Sequence, residues 1–260
     1  MRLLFIGDVV GERGCEAVAE LVPRLRGELG LDAVIANGEN SAGGRGITAE
    51  TGARLLSVAD FLTLGDHAFD QAGAGEYLAR ERRVARPENL GEVPGRSWGT
   101  FEAGGVRVGV ANVQGQVFMQ ELRGSPFEGA DLTLDYLAES GAEVVLVDVH
   151  AEATSEKQAM GYYLEGRAQA VIGTHTHVPT ADARVLPGGT AYLTDVGMVG
   201  GPAGIIGMDR ARFMDVFLED APLEGGPADG TIGLDAALVE IDVEARRATS
   251  IERVYREWTG

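Results

Sequence analysis

The chain has 260 residues, room for one or two domains at ~150 residues each, and its 45% apolar and 24% charged residues are the balance of a globular protein with a full core. Its 22 Lys and Arg against 40 Asp and Glu leave a formal charge of −18, spread along the chain. Such a field repels nucleic-acid backbones and anionic membranes, so neither stable duplex binding nor membrane association is expected.

Cys15 is the only cysteine, which excludes a disulfide framework and any multi-cysteine zinc or iron–sulfur site. Lys157, the only lysine, has no glycine-rich loop before it, which excludes a Walker P-loop. The first apolar run, Leu3-Leu4-Phe5-Ile6, is too short for a signal-peptide core. No window reaches the ~20 apolar residues of a membrane span. The expected compartment is the cytoplasm, where a lone thiol stays reduced.

After that run, Val18, Leu21, Val22, Leu25 and Leu29 repeat at helical spacing, and Pro23 predicts a kink or a late helix start. Apolar runs at 33–36, 61–64, 106–111, 144–149 and 170–172 read as further strands, with helices over 48–58, 131–140 and 155–166. In the fourth of these runs Val144-Val145-Leu146-Val147 is continuous rather than alternating, the mark of a strand buried on both faces. Segments 86–105 and 115–129, rich in Gly and Pro, read as long loops that could wall a site. Residues 191–194 form a further strand. The alternating run 237–243 and its partner 249–255 predict a late antiparallel hairpin, either an edge extension or part of a second packed sheet. Strands alternating with helices indicate an α/β fold with largely parallel pairing, in one domain spanning 1–260.

The polar residues stand just beyond these strands. Asp8 follows the first run, Glu39-Asn40 the second and Asp66-His67 the third; His150 follows 144–149, and His175-Thr176-His177 follows 170–174. Ligands of open α/β sheets bind beyond the carboxyl ends of the strands, so all four histidines and several acids are expected at one edge. Imidazoles with carboxylates suit Zn, Mn, Fe or Co. Seven donors are too many for one tetrahedral zinc and suit two metals sharing a carboxylate, which can polarise a phosphoryl group for in-line attack by hydroxide. Asp8, Glu39 and Asp66 supply −3 against roughly +4 from two divalent ions, a local reversal of the overall field that admits an anionic substrate. Singly, each residue has a plainer reading: a loop histidine, or an aspartate capping a helix. Their conjunction at strand ends decides for the cluster.

The pieces Gly7-Asp8, Gly38-Glu39-Asn40, Gly65-Asp66-His67, Val149-His150-Ala151-Glu152 and Gly173-Thr174-His175-Thr176-His177 resemble the calcineurin-like metallophosphoesterase superfamily. Their order and spacing resemble its bacterial YmdB-like branch, with support from 5–11, 42–48, 154–157, 174–182 and 186–198. The resemblance implies a two-sheet αββα sandwich of mostly parallel core strands flanked by helices. It implies two divalent or transition metal ions per subunit, with Fe or Mn favoured and Zn or Mg as alternatives. One would take Asp8, Glu39, Asn40 and His177; the other would share Glu39 and take Asp66, His150 and His175. His67 would be no ligand but the general acid beside the scissile ester. The implied activity is hydrolysis of small phosphodiesters, with 2′,3′-cyclic nucleotides the leading class, by in-line attack of a metal-bridging hydroxide. A homo-oligomer is compatible with such an enzyme.

Two departures stand out. The superfamily's first motif, Asp-x-His, is Asp8-Val9-Val10 here, as in the YmdB-like branch, where the Asn after the bridging Glu fills the place. Where the family usually has Gly-Asn-His, this chain has Gly65-Asp66-His67; the added charge should tighten metal binding and slow turnover. That residue keeps a regulatory nucleotide- or partner-binding protein with a largely idle metal centre as the competing reading, beside hydrolysis of acyl substrates. Lesser candidates are Arg86 as a phosphate contact, the Gly43–Gly46 amides as an anion nest, Asn112 and Asp195 behind the ligands, and Phe118 and Met119 against a base. For each of these a plain structural role is the alternative. Glu152 and Thr154 carry no assignment.

Overall fold

Leu3 and Phe5 of strand β1 (Arg2–Ile6) enter one buried cluster while Leu4 and Ile6 enter another. An unbroken apolar run can satisfy both faces of a strand only in this way. The computed structural model describes residues 1–119, 124–222 and 225–260.

The chain continues through β2 (Asp8–Val9), α1 (Gly11–Leu29), β3 (Ala33–Asn37), α2 (Ala49–Leu56), β4 (Phe61–Thr63), α3 (Ala74–Arg80) and β5 (Val84–Ala85). After a short 3-10 turn at Glu88–Leu90 come β6 (Trp98–Ala103), β7 (Val106–Gln114), α4 (Pro126–Glu139), β8 (Val144–His150), α5 (Thr154–Tyr163) and β9 (Ala170–Thr174). The last part holds β10 (Arg184–Val185), β11 (Ala191–Leu193), β12 (Met198–Gly200), α6 (Arg210–Glu219), β13 (Ile232–Asp242) and β14 (Arg247–Trp258).

Two sheets result. The first has the order β2-β12-β13-β1-β3-β4-β5, with β14 on β13; the second runs β10-β11-β9-β8-β7-β6. Among the described residues, seven of twelve strand pairings are parallel, the mixed but mainly parallel sandwich expected. Three cores separate the layers. Cys15, Val18, Val22 and Leu25 of α1 and Leu55 of α2 pack on the outer face of the first sheet. Phe5, Ile35 and Val239 meet Val108, Leu146 and Ile172 between the sheets. Leu137 of α4 and Met160 of α5 cover Val147, Val149 and Val171. Each such buried side chain contributes roughly 1.5–3 kcal/mol. A surface ion pair contributes ~0–1 kcal/mol, so packing between layers holds the fold.

Several expectations need correction. Helix α1 starts early, at Gly11, and runs on past Pro23, its buried stripe binding it to the sheet along its length. Residues 98–103, expected as loop, form β6 and pair antiparallel with β7; β6 is an edge strand of which only Gly99 and Ala103 are buried, so it lacks a run of core residues. Helix α4 starts at Pro126, capped by the Ser125 hydroxyl, inside the expected 115–129 loop, of which 120–123 lie outside the described residues. The late hairpin is the edge extension of the two expected readings: among the described residues β14 pairs with β13 alone, along Ile232–Asp242, while β13 carries β12 and β1 in succession on its other edge. Strand β13 buries Leu234, Ala236 and Leu238 on one face and Ala237, Val239 and Ile241 on the other. Among the described residues no helix is long and apolar enough to cross a membrane.

Candidate metal centre

Parallel strands point their carboxyl ends the same way, and both sheets deliver polar residues from that end. Glu39-Asn40 follow β3, Asp66-His67 lie just past β4, His150 ends β8, and His175 and His177 follow β9. Across the gap between the sheets, His150 Nε2 lies 3.1 Å from Glu39 Oε1 and 3.0 Å from Asp66 Oδ1. His175 Nδ1 stands 3.0 Å from that same Nε2 and 3.4 Å from Asp66 Oδ1. Donor atoms of Glu39, Asp66, His150 and His175 all fall within 4.8 Å of one another. A Cβ on Gly65 would stand 2.2 Å from both Glu39 Oε2 and His150 Nε2, so the convergence requires glycine there.

The ring of His150 is held from behind. Thr174 Oγ1 donates to Asp148 Oδ1 at 2.7 Å, which commits its proton, so it accepts from His150 Nδ1 at 2.8 Å. Asn37 donates to the other Asp148 oxygen at 3.0 Å. Burial pushes the Asp148 carboxyl up to about 7. With Nδ1 engaged, His150 faces the acids through Nε2, the arrangement that orients a metal-binding imidazole.

Electrostatics shows the same concentration. Burial opposes charge on Glu39 and Asp66, but the neighbouring imidazoles, His150 foremost, together outweigh it at both and hold Asp66 far below the usual carboxylate range. Burial alone would depress His150; Glu39 and Asp66 instead raise it well above the usual imidazole value. A proton on Nε2 therefore sits among the acids where a cation would sit, and metal binding displaces such protons.

Asp8 caps no helix: Val10 is the N-cap of α1 and makes no side-chain cap. Its Oδ2 instead accepts the His175 backbone N–H at 3.2 Å. Burial raises its carboxyl, and His177 and His150 pull it back in part. Asp8 Oδ1 and Asn40 Oδ1 are buried and accept no hydrogen bond among the described residues. His177 donates through Nδ1 to the Ile206 carbonyl at 2.8 Å, leaving Nε2 available. Unpartnered buried oxygens beside acids and free imidazole nitrogens fit transition or divalent cations.

Asn40, His67, His175 and His177 share with Glu39 one cavity of about 420 Å³. His67 stands at its edge, its backbone N–H donating to Glu39 Oε2 at 3.3 Å. Its Nδ1 lies 3.0 Å from Asp70 Oδ2, and Arg45 grips the same oxygen. That chain holds the ring with Nδ1 bound and Nε2 turned away from Asp70.

The profile of the YmdB-like protein family matches residues 4–254. The chain belongs to the YmdB-like family. It is 42% identical over 258 residues to the 2′,3′-cyclic-nucleotide 2′-phosphodiesterase of Bacillus subtilis (strain 168), covering 98% of this chain and 96% of that one. The crystal structure of a hypothetical protein from Thermus thermophilus superposes with a TM-score of 0.91 at 42% identity, over 99% of both chains. That of a novel phosphatase from Mycoplasma pneumoniae gives a TM-score of 0.90 at 27% identity, over 99% of this chain and 93% of the other.

Not every expected residue of this YmdB-like chain reaches the site. Arg86 is buried and donates to the carbonyls of Pro87, Glu88 and Val93, so its charge serves its own loop rather than a phosphate. The Gly43 amide donates to Glu12 and the Arg45 amide to Ala42, so neither of these two is offered to an anion. Phe118 is 87% exposed and fills no core. Asn112 bonds only weakly to the Asp148 backbone, at 3.4 Å. Asp195 does lie behind the ligands and accepts from Thr176. Sequence reasoning missed Asp70, Asp148 and Thr174, whose roles need partners brought by folding. Asp70 alone left a signal, three residues after His67. Glu152, unassigned from sequence, lies 3.3 Å from His175 Nε2 at the cavity rim.

Proposed function

We propose that this chain is a metal-dependent phosphodiesterase that opens small cyclic or diester phosphates, with 2′,3′-cyclic nucleotides the leading class. The observation that carries the reading is the meeting of Glu39, Asp66, His150 and His175 within 4.8 Å, with Glu39 and His175 of that group lining a cavity together with His67. The 42% identity to a cyclic-nucleotide phosphodiesterase over nearly the whole chain supports it.

In this reading Asp8, Glu39, Asn40 and His177 hold one ion, and Glu39, Asp66, His150 and His175 hold a second, with Fe or Mn favoured. Bound there, the ions supply a water nucleophile at neutral pH and neutralise phosphoryl charge. The remaining work belongs to the chain. His67, held by Asp70, donates a proton from its free nitrogen to the oxygen that leaves phosphorus. The Thr174–Asp148 contact keeps His150 facing the acids. A cavity of about 420 Å³ takes a mononucleotide and no folded nucleic acid. A cytoplasmic site of action belongs to the same reading.

The test is hydrolysis of a 2′,3′-cyclic nucleotide and of bis(4-nitrophenyl) phosphate by protein loaded with Mn or Fe, then treated with a chelator. Turnover of both that disappears on chelation and returns with metal is the expected result. Fully loaded protein that hydrolyses neither would replace this reading with a regulatory role, which the extra charge of Asp66 would then explain.

A further inference from the structure

Behind the His175–Thr176–His177 turn lies an ion pair that takes no part in the chemistry above. Lys157 Nζ stands 2.6 Å from Asp195 Oδ2, and both side chains are 1% exposed. Lys157 belongs to α5 and Asp195 to the turn after β11. Removing two charges from water is costly, and their mutual attraction alone seldom recovers the cost. A buried pair of this kind calls for a role other than plain stability.

We infer that Lys157 and Asp195 are positioning residues which hold the His175–Thr176–His177 turn in its ligating conformation and thereby govern both metal positions together; this rests on the metal-centre reading. Asp195 Oδ2 accepts three donors: Lys157 Nζ, the Thr176 backbone N–H at 3.1 Å and the Thr176 hydroxyl at 2.7 Å. Its second oxygen accepts the Gly197 N–H at 2.9 Å. Thr176 therefore hangs from one carboxylate by backbone and side chain alike.

What the carboxylate restrains is a turn that resists its own shape. His175 has φ +96° and His177 φ +62°, a region that L side chains rarely adopt. A carboxylate neutralised by one lysine and ordered by three further hydrogen bonds supplies the restraint. The path of Lys157 is built for it: a Cβ on Gly173 would lie 2.9 Å from Lys157 Cδ and 1.8 Å from the Thr194 carbonyl oxygen. Glycine in β9 thus admits both the lysine stem and the strand that carries Asp195.

The turn feeds both halves of the centre. His175 stands with Glu39, Asp66 and His150, while His177 faces Asp8 and is tied to Ile206. Loosening Thr176 displaces the two imidazoles at once, whereas truncating His177 alone acts chiefly on one position.

The experiment titrates Mn²⁺ into metal-free wild type and the variants Lys157→Met, Asp195→Asn and Thr176→Val, following ions bound per chain and the melting temperature without metal. Loss of a partner behind a ligand weakens metal binding ~10–100-fold. We expect that loss for both ions in parallel in the Lys157 and Asp195 variants. Thr176→Val, which keeps the ion pair and removes one hydroxyl bond, should show a smaller loss in the same sense. Unchanged affinity for both ions, even with a lowered melting temperature, would reduce the pair to a structural feature and overturn the inference, as would loss confined to one ion. Should the charge variants fail to fold, unchanged affinity in Thr176→Val overturns it equally. Wild type that binds no Mn²⁺ would instead remove the metal-centre reading, and this inference with it.

Discussion

The Nδ1 of His150 lies 2.8 Å from the hydroxyl of Thr174, whose own proton goes to Asp148 at 2.7 Å. This contact joins the ends of β8 and β9 and sets which face of the imidazole meets the acids. Thr174→Val removes it while keeping the shape of the side chain. Manganese affinity should fall ~10–100-fold, with the circular-dichroism spectrum unchanged. A titration matching wild type would show that packing alone orients the ring.

His67→Ala should keep its metals and lose ~10²–10⁴ in turnover of a cyclic nucleotide, the span of general acid catalysis. With bis(4-nitrophenyl) phosphate the loss should be smaller, because nitrophenolate leaves without a proton. Asp70→Asn should show the same substrate dependence at lower amplitude. Equal losses on both substrates would point to a binding role for His67.

In the proposed centre Glu39 serves both ions, so Glu39→Ala should abolish binding of both, as elemental analysis of metal-loaded protein would report. Asp66→Asn removes one charge from a carboxylate held far below its usual range by His150 and His175. It should fold normally and bind metal more weakly, with faster turnover at saturating metal. An intact two-ion centre without Glu39 would refute its bridging position.

A methyl group at residue 65 would stand 2.2 Å from a carboxylate oxygen of Glu39 and an imidazole nitrogen of His150. Gly65→Ala should cost ~1–3 kcal/mol by overpacking and separate the ligands. Urea denaturation and metal content should both register it. A stable variant with normal metal content would mean that the β4 end shifts freely.

Burial pushes the Cys15 thiol from the ordinary 9.0 up to about 12. The folded state holds this proton more tightly than the unfolded state. The stability it contributes is complete below pH ~9 and is lost as pH rises through the folded value. Iodoacetamide at pH 8 should therefore modify native protein far more slowly than protein in urea; equal rates would contradict the burial.

Much of this could be read from the chain itself. The apolar runs at 3–6, 33–36 and 61–64 became neighbouring strands of one sheet, and those at 106–111, 144–149 and 170–172 neighbours in the other. Thr48 caps α2 as the expected 48–58 helix requires. Strand β6 stayed hidden because an edge strand needs few buried side chains. The choice between an edge extension and a second packed sheet for the late hairpin stayed open because the apolar alternation of β13 is the same in either. The turn at Gly43–Gly46 and the loop role of Arg86 also required coordinates, since an amide or guanidinium has many acceptors to choose from.

By itself, the sequence determined the main strands of both sheets and several of the helices, and placed the candidate ligands at strand ends, because hydrophobic period and strand-end position are local properties of the chain. Which sheet each strand joins, and which side chain steadies which ligand, was decided only in three dimensions. Asn37 and Asp148 meet at 3.0 Å across 111 residues of chain, and Lys157 reaches Asp195 across 38. Such contacts depend on the packing of whole layers, whose energy is summed over many side chains and is carried by no single motif.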